Sequence, residues 1–178
     1  DLFAFMGADN GFLSLVGGRG VKSIGELGGR RLSVDAMTTG YAFVLRELLA
    51  KNGIAESDVT FERAGGALWR FQELLKGSHA GTILVTPFDL LAIEKGHAQL
   101  ARAADELGAY QGVVAAARRS WARQNEASVV GYVRAWRAGV RFLYEPANRE
   151  VAEALLMANV PAMTPQLARQ SLQVLLDE

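Results

Sequence analysis

The chain contains no cysteine. That absence excludes disulfide bridges, thiolate metal sites and thiol catalysis, and it fits a reducing or an oxidising compartment equally well. Histidine is almost as scarce. His79 and His97 are the only two, they fall in different parts of the pattern, and neither has a carboxylate at ligand spacing, so no metal site and no histidine-based acid–base pair is expected. The serines lie in no nucleophile-elbow context, so no catalytic residue is assigned. No charge of one sign dominates, since 19 Lys and Arg balance 19 Asp and Glu. Such a chain gives no global reason to expect nucleic acid or an anionic membrane surface as a partner. Its apolar runs are too short to span a bilayer, and no basic segment followed by an apolar one stands at the start. The sequence opens directly on the apolar Leu2–Met6, without an initiator methionine, which leads us to expect that an N-terminal portion was removed.

Half of the 178 residues are hydrophobic, enough for one ordinary domain or two small lobes. The most informative stretch is GGRRLSVDAMTTGY, Gly28–Tyr41. It predicts a turn, a buried strand at Arg31–Asp35, a small-residue loop and a helix start. A strand–loop–helix unit of this kind points free backbone N–H groups outward, where the helix dipole favours an anionic or strongly polar group. Thr38, Thr39, Gly40 and Tyr41 are therefore candidate ligand contacts. Plain N-capping by Thr38 or Thr39 explains the same residues.

Two similar units follow. Val59–Arg63 precedes a helix at Ala67–Lys76, with Leu68, Phe71 and Leu75 on one side. Thr82–Val85 precedes a helix at Pro87–Lys95, where Thr86 and Asp89 suggest a capping box. Ser23 and Glu26 suggest another around Ser23–Leu27. The first helix, Gly40–Asn52, carries Tyr41, Val44, Leu45, Leu48 and Leu49 on one face. Gly53, Gly77 and Gly96 are the expected C-terminal stops. Alternating strand and helix argues for an α/β fold with a mostly parallel sheet and flanking helices. In such a sheet the loops at Thr38–Tyr41, Gly65-Gly66-Ala67 and Thr86-Pro87-Phe88 emerge at the carboxyl ends of the strands, the edge where open α/β sheets bind ligands.

Tyr41, Trp69, Phe88 and Tyr110 are candidates for aromatic walls, with core packing as the other reading. Asp35 either orients a ligand donor or fixes its own loop. Asp9-Asn10-Gly11 signals a turn. Leu2–Met6, Gln99–Ala103 and Gly112–Ala117 are further strand candidates. From Arg118 onward the chain reads helical, with an apolar stripe at Val129, Val133, Trp136, Val140 and Leu143. Arg118, Arg119, Arg123, Arg134, Arg137 and Arg141 read as solvated helix faces.

With this order in view, Ser23–Asp35, Tyr41–Gly53, Phe71–Gly77, Val85–Ala92 and Gly112–Trp121 together resemble the periplasmic solute-binding proteins of ABC importers. The likeness is to the nitrate, sulfonate and taurine class and to binders of thiamine-pyrimidine precursors, and it covers nearly the whole chain through loose motifs. It implies a type II periplasmic binding protein-like fold of two lobes closing about a hinge. Residues 1–20 would be a remnant of lobe one, 21–117 lobe two, and 118–178 a helical return to lobe one, with Gln111 as a ligand contact near the hinge. It further implies a small anionic or heteroaromatic ligand, no cofactor, a membrane permease as partner and a place in the cell envelope. Two departures stand out. The family's long N-terminal segment is almost absent, so a second chain or fragment is expected to complete lobe one. Ala80, in Gly77-Ser78-His79-Ala80-Gly81, replaces the aspartate that relatives often carry, so that residue's role does not transfer. The resemblance leaves two alternatives, the effector-binding domain of a LysR-type transcription regulator and an enzyme of the thiamine-pyrimidine synthase kind.

Overall fold

The computed structural model describes residues 1–9, 11–108, 111–160 and 163–177. Asn10 of the expected turn and Tyr110 of the expected aromatic wall lie outside them. The chain packs as two units, residues 1–10 with 111–178 and residues 11–110. The first strand, β1 (Leu2–Gly7), belongs to the former.

The unit of residues 11–110 runs β2 (Leu13–Gly17), β3 (Arg31–Val34), α1 (Gly40–Lys51), β4 (Thr60–Arg63), α2 (Ala67–Lys76), β5 (Gly81–Val85), α3 (Phe88–Glu94), β6 (Gln99–Arg102) and α4 (Ala103–Leu107). Its sheet has the order β4-β3-β5-β2-β6. Strand β3 is parallel to β4 and to β5, while β2 is antiparallel to both β5 and β6. Four strands therefore point one way and β2 alone is reversed, which fits the expected mostly parallel sheet.

Strand β2 is the main addition to the sequence reading, which placed residues 1–20 with the first lobe and gave Leu13–Gly17 no strand. All five of its residues are buried, and its ladder with β5 runs from Leu13 opposite Val85 to Gly17 opposite Gly81. A strand this short, ending in a run of glycines, has too few residues to show a period. At the other end of the expected lobe, residues 114–118 pair with β1 instead of joining this sheet.

Side-chain alternation along the strands builds a core on each face. Leu15, Leu32 and Ile83 pack with Leu45, Leu48 and Leu49 of α1. Val16 and Leu84 pack with Phe71 and Leu74 of α2 and Ala92 of α3. The buried face of α2 is Arg70, Phe71 and Leu74, not Leu68, Phe71 and Leu75. Leu68 is 47% exposed, because a helix beginning at Ala67 turns positions 70, 71 and 74 towards the sheet. The expected glycine stops hold, with Gly53, Gly77 and Gly96 all at positive φ.

Neither expected capping box forms. The Ser23 hydroxyl donates to Glu26 Oε1 at 3.1 Å, and Glu26 Oε2 accepts from the Lys22 N–H at 3.2 Å. Thr86 Oγ1 has no partner. Asp89 instead accepts from the Leu90 N–H and from Ser14 Oγ, each at 2.9 Å.

In the other unit β1 pairs antiparallel with β7 (Val114–Arg118), with an irregularity between Ala4 and Met6. The helices α5 (Arg119–Gln124), α6 (Glu126–Tyr144), α7 (Arg149–Asn159) and α8 (Pro165–Asp177) follow, as the helical reading after Arg118 requires. Ala152, Leu167, Ala168 and Leu172 are buried where α7 meets α8. Helix α6 has no fully buried residue. Of its apolar stripe, Val129, Val133 and Leu143 are half-buried while Trp136 and Val140 are exposed. Among the described residues no helix is long and apolar enough to cross a membrane.

Candidate functional site

Because β4, β3 and β5 are adjacent and parallel, the loops after them stand side by side at one edge of the sheet. The structure thus brings together Thr38–Tyr41, Gly65–Ala67 and Thr86–Phe88, although they are not equivalent.

In the loop after β3, Thr39 caps α1. Its Oγ1 accepts from the Ala42 N–H at 3.3 Å and donates to Asp35 Oδ1 at 2.6 Å. Both capabilities of the hydroxyl are used inside the loop, and Asp35 fixes its own loop. The Phe43 N–H reaches the Thr39 carbonyl at 3.0 Å. The N–H groups of Gly40 and Tyr41, first in the helix, have no intrahelical acceptor. Thr38 and Gly40 are exposed, and a Cβ added to Gly40 would meet no atom within 4 Å. The loop is open where the free donors are.

In the loop after β4, Gly65 has φ +78° and Gly66 caps α2 without a side chain. The first N–H groups of α2 are again without side-chain acceptors. Trp69 beside them is 62% exposed, so it lies at the edge and not in the core. The loop after β5 differs. Helix α3 is short, and the Asp89 carboxylate already occupies its first turn, so its N-terminus does not favour a second anion. Phe88 packs against Phe71, ring centroids 5.7 Å apart, in the core cluster of that face, which answers the choice between wall and core in favour of core.

Sequence reasoning missed Arg70. This side chain is 1% exposed. Its Nε and Nη2 donate to the Ile83 carbonyl at 3.2 and 3.0 Å, and its Nη1 donates to the Gly65 carbonyl at 2.7 Å. The guanidinium carbon lies 5.1 Å from the ring centroid of Tyr41. Arg70 therefore links the loop after β4, strand β5 and the start of α1. No carboxylate pairs with it among the described residues. Burial draws its pKa down from the ordinary arginine value, while the charge of Asp35 draws it back up. A guanidinium has five N–H donors, and three bonds to carbonyl oxygen leave two of them free. The spacing of Ala67, Arg70, Phe71 and Leu74 was the available signal: a lone cation stands on the face that must be buried.

Gln111 belongs to the other unit, where its side chain lies beside Gly7. Among the described residues no group of three His, Asp or Glu is placed to hold a metal ion.

A family model described as NMT1/THI5 like matches residues 8–149. Among solved structures, the alkanesulfonate-binding protein SsuA from Xanthomonas axonopodis pv. citri, bound to MOPS, is 19% identical with a TM-score of 0.78, over 98% of this chain and 60% of that one. The periplasmic aliphatic sulphonate-binding protein SsuA from Escherichia coli is 17% identical with a TM-score of 0.78, over 97% of this chain and 56% of that one. The ligand-binding component of an ABC-type import system from Staphylococcus aureus, with zinc bound, is 13% identical with a TM-score of 0.76, over 97% of this chain and 59% of that one. These likenesses establish the periplasmic binding protein fold, and the chain spans at most 60% of the length of each of these structures. No curated protein sequence matches it.

Proposed function

The chain belongs to the NMT1/THI5-like family, and from that premise we propose that it is the ligand-holding part of a solute-binding receptor. The receptor works outside the cytoplasm, performs no catalysis, and passes a small anion to the membrane permease of an ABC importer. The observation that carries this reading is Arg70: a buried cation, bonded only to carbonyl oxygens, beside two helix starts whose first N–H groups are free. Fixed donors and a buried positive charge that no carboxylate contacts directly, at one sheet edge, suit a sulfonate or carboxylate head group.

In this reading the backbone of Gly40 and Tyr41 and of Gly66 and Ala67 supplies the donors. Gly65 and Thr38 leave the approach open, and Thr86 Oγ1, which has no partner, offers a hydroxyl nearby. Pro87 and Phe88 shape the loop beside it. The sulfonate class gains support from the similar proteins, two of which carry sulfonate binding in their descriptions. The exposed apolar residues of α6 and α7 suit a further part of the receptor, or a second chain, lying over them.

Calorimetric titration with MOPS, ethanesulfonate and a neutral alcohol of matched size tests the reading. The two sulfonates should bind and the alcohol should not, and Gly40→Val should abolish binding while leaving the circular dichroism spectrum unchanged. Sulfonate binding that survives Gly40→Val would move the site elsewhere. Equal binding of alcohol and sulfonates would remove the anionic class.

A further inference from the structure

The opposite edge of the same sheet carries a second constellation, unrelated to the loops above. Strands β3 and β5 begin there and β2 ends there, so segments 17–20, 29–31 and 77–80 converge. They border a solvent-open cavity of about 320 Å³ lined by Arg19, Arg30, Arg31, Ser78 and His79 among others. Backbone bonds fix its floor: Gly18 N–H to the Ala80 carbonyl at 2.7 Å, and Ala80 N–H to the Arg31 carbonyl at 2.8 Å. The segments are so close that a Cβ on Gly18 would lie 2.5 Å from the His79 carbonyl oxygen. Glycine is required there by close approach, and the cavity is shaped before any ligand arrives.

Charge around this cavity is unbalanced. Arg31 pairs with Glu62 at 3.3 Å. The other oxygen of Glu62 meets His79 Nε2 at 2.9 Å. Glu73, the next carboxylate, is held by Lys76 at 2.6 Å and by the Ser78 hydroxyl at 2.8 Å. Both nearby acids are thus occupied, and neither Arg19 nor Arg30 has an ion-pair partner among the described residues. The His79 side chain is 5% exposed, and its Nδ1 has no hydrogen-bond partner. Three guanidinium groups therefore line the hollow, and of the two nearby carboxylates only Glu62 pairs with one of them, Arg31, while Glu73 is held by Lys76 and Ser78.

We propose that this cavity is a second anion site, which takes a small multivalent oxyanion of the phosphate kind through Arg19 and Arg30, with Arg31 beside them. Guanidinium forks match the oxygen geometry of phosphate bidentately, and a multivalent anion uses more than one fork at once. The volume is that of a small-molecule site. Because the arginines are exposed, the attraction is screened by salt. The site lies at the amino ends of β3 and β5, and its occupancy is independent of the sulfonate reading of the carboxyl edge.

The test uses sodium pyrophosphate as the probe at low ionic strength, with calorimetry for affinity and the His79 imidazole proton resonances as a local reporter. Pyrophosphate should bind, shift those resonances, and weaken as sodium chloride is added. Arg19→Gln combined with Arg30→Gln, both surface changes, should lower the affinity about tenfold or more while Gly40→Val leaves it unchanged. The proposal is overturned if the double variant binds pyrophosphate as tightly as the parent. It is equally overturned if Gly40→Val removes the binding or the His79 resonances stay fixed. If phosphatidylglycerol vesicles bind through the two arginines and pyrophosphate does not, the surface reads a lipid headgroup and the small-molecule site is disproved.

Discussion

The Arg70 guanidinium lies under the ring of Tyr41, 5.1 Å from its centroid, so the first turn of α1 and the first turn of α2 meet through one cation. Arg70→Gln removes that charge and shortens the reach to the Gly65 and Ile83 carbonyls. Leaving the buried Ile83 acceptor without its guanidinium partner costs about 1–3 kcal/mol. Urea denaturation should therefore register a stability loss of about that size. In the receptor reading, the preference for ethanesulfonate over a matched neutral alcohol should shrink at the same time. A variant with unchanged stability and unchanged preference would leave Arg70 with neither role.

Thr39→Ala separates capping from binding. Since the hydroxyl serves Ala42 and Asp35, its loss should cost about 1 kcal/mol of stability and change sulfonate affinity little. A large affinity loss at constant stability would mean that the hydroxyl turns to the ligand.

The place of residues 11–20 is open to a direct comparison. Leu15→Ala empties a fully buried position in β2, which should cost about 2–5 kcal/mol. Leu2→Ala, at a residue 72% exposed, should stay within about 0.5 kcal/mol. Chemical denaturation of both variants measures the contrast, and equal costs would contradict the central position of β2.

Glu62 gives the fold an acid sensitivity. Its pKa lies below the ordinary value of 4.5, chiefly through its hydrogen bond with His79 and further through Arg31, against an opposing effect of burial. A carboxylate lowered in the folded state contributes stability that is present above its unfolded pKa and lost as pH falls through the folded one. Stability should thus decline on acidification below about pH 4.5, and Glu62→Gln should flatten that decline. Thermal melts of both proteins from pH 6 to about pH 3 measure it, and parallel curves would remove Glu62 as a cause.

Long, strongly periodic elements were legible in the sequence. Helix α1 runs over Gly40–Lys51 because its leucines repeat at helical spacing and Gly53 stops it. The parallel trio β3, β4 and β5 follows from the strand–helix alternation. Features made by tertiary contact were not legible. Strand β2 is defined by its two neighbours, and its five residues carry no period of their own. The Thr86 and Asp89 pattern suggested a cap, but Ser14 of β2 holds the carboxylate, a partner 75 positions away. At the candidate site the loops could be placed from sequence because glycine and threonine announce them. The cation behind them could not, since an arginine on a helix is ordinarily a surface residue and only the packed sheet shows that Arg70 is inside.

The reversal of β2 has a consequence for how this half of the molecule is tethered. Running against β6, it puts Ser14, just inside the entry of the unit, opposite Arg102, close to the exit. The intervening residues form an excursion whose ends are already joined by a ladder. Closing such a loop costs little additional chain entropy, because the cost grows only logarithmically with length. A segment with adjoining ends is also the kind that tolerates excision, transplantation into another host loop or circular permutation. With its entry and exit strands paired inside its own sheet, the α/β unit has the makings of a portable module.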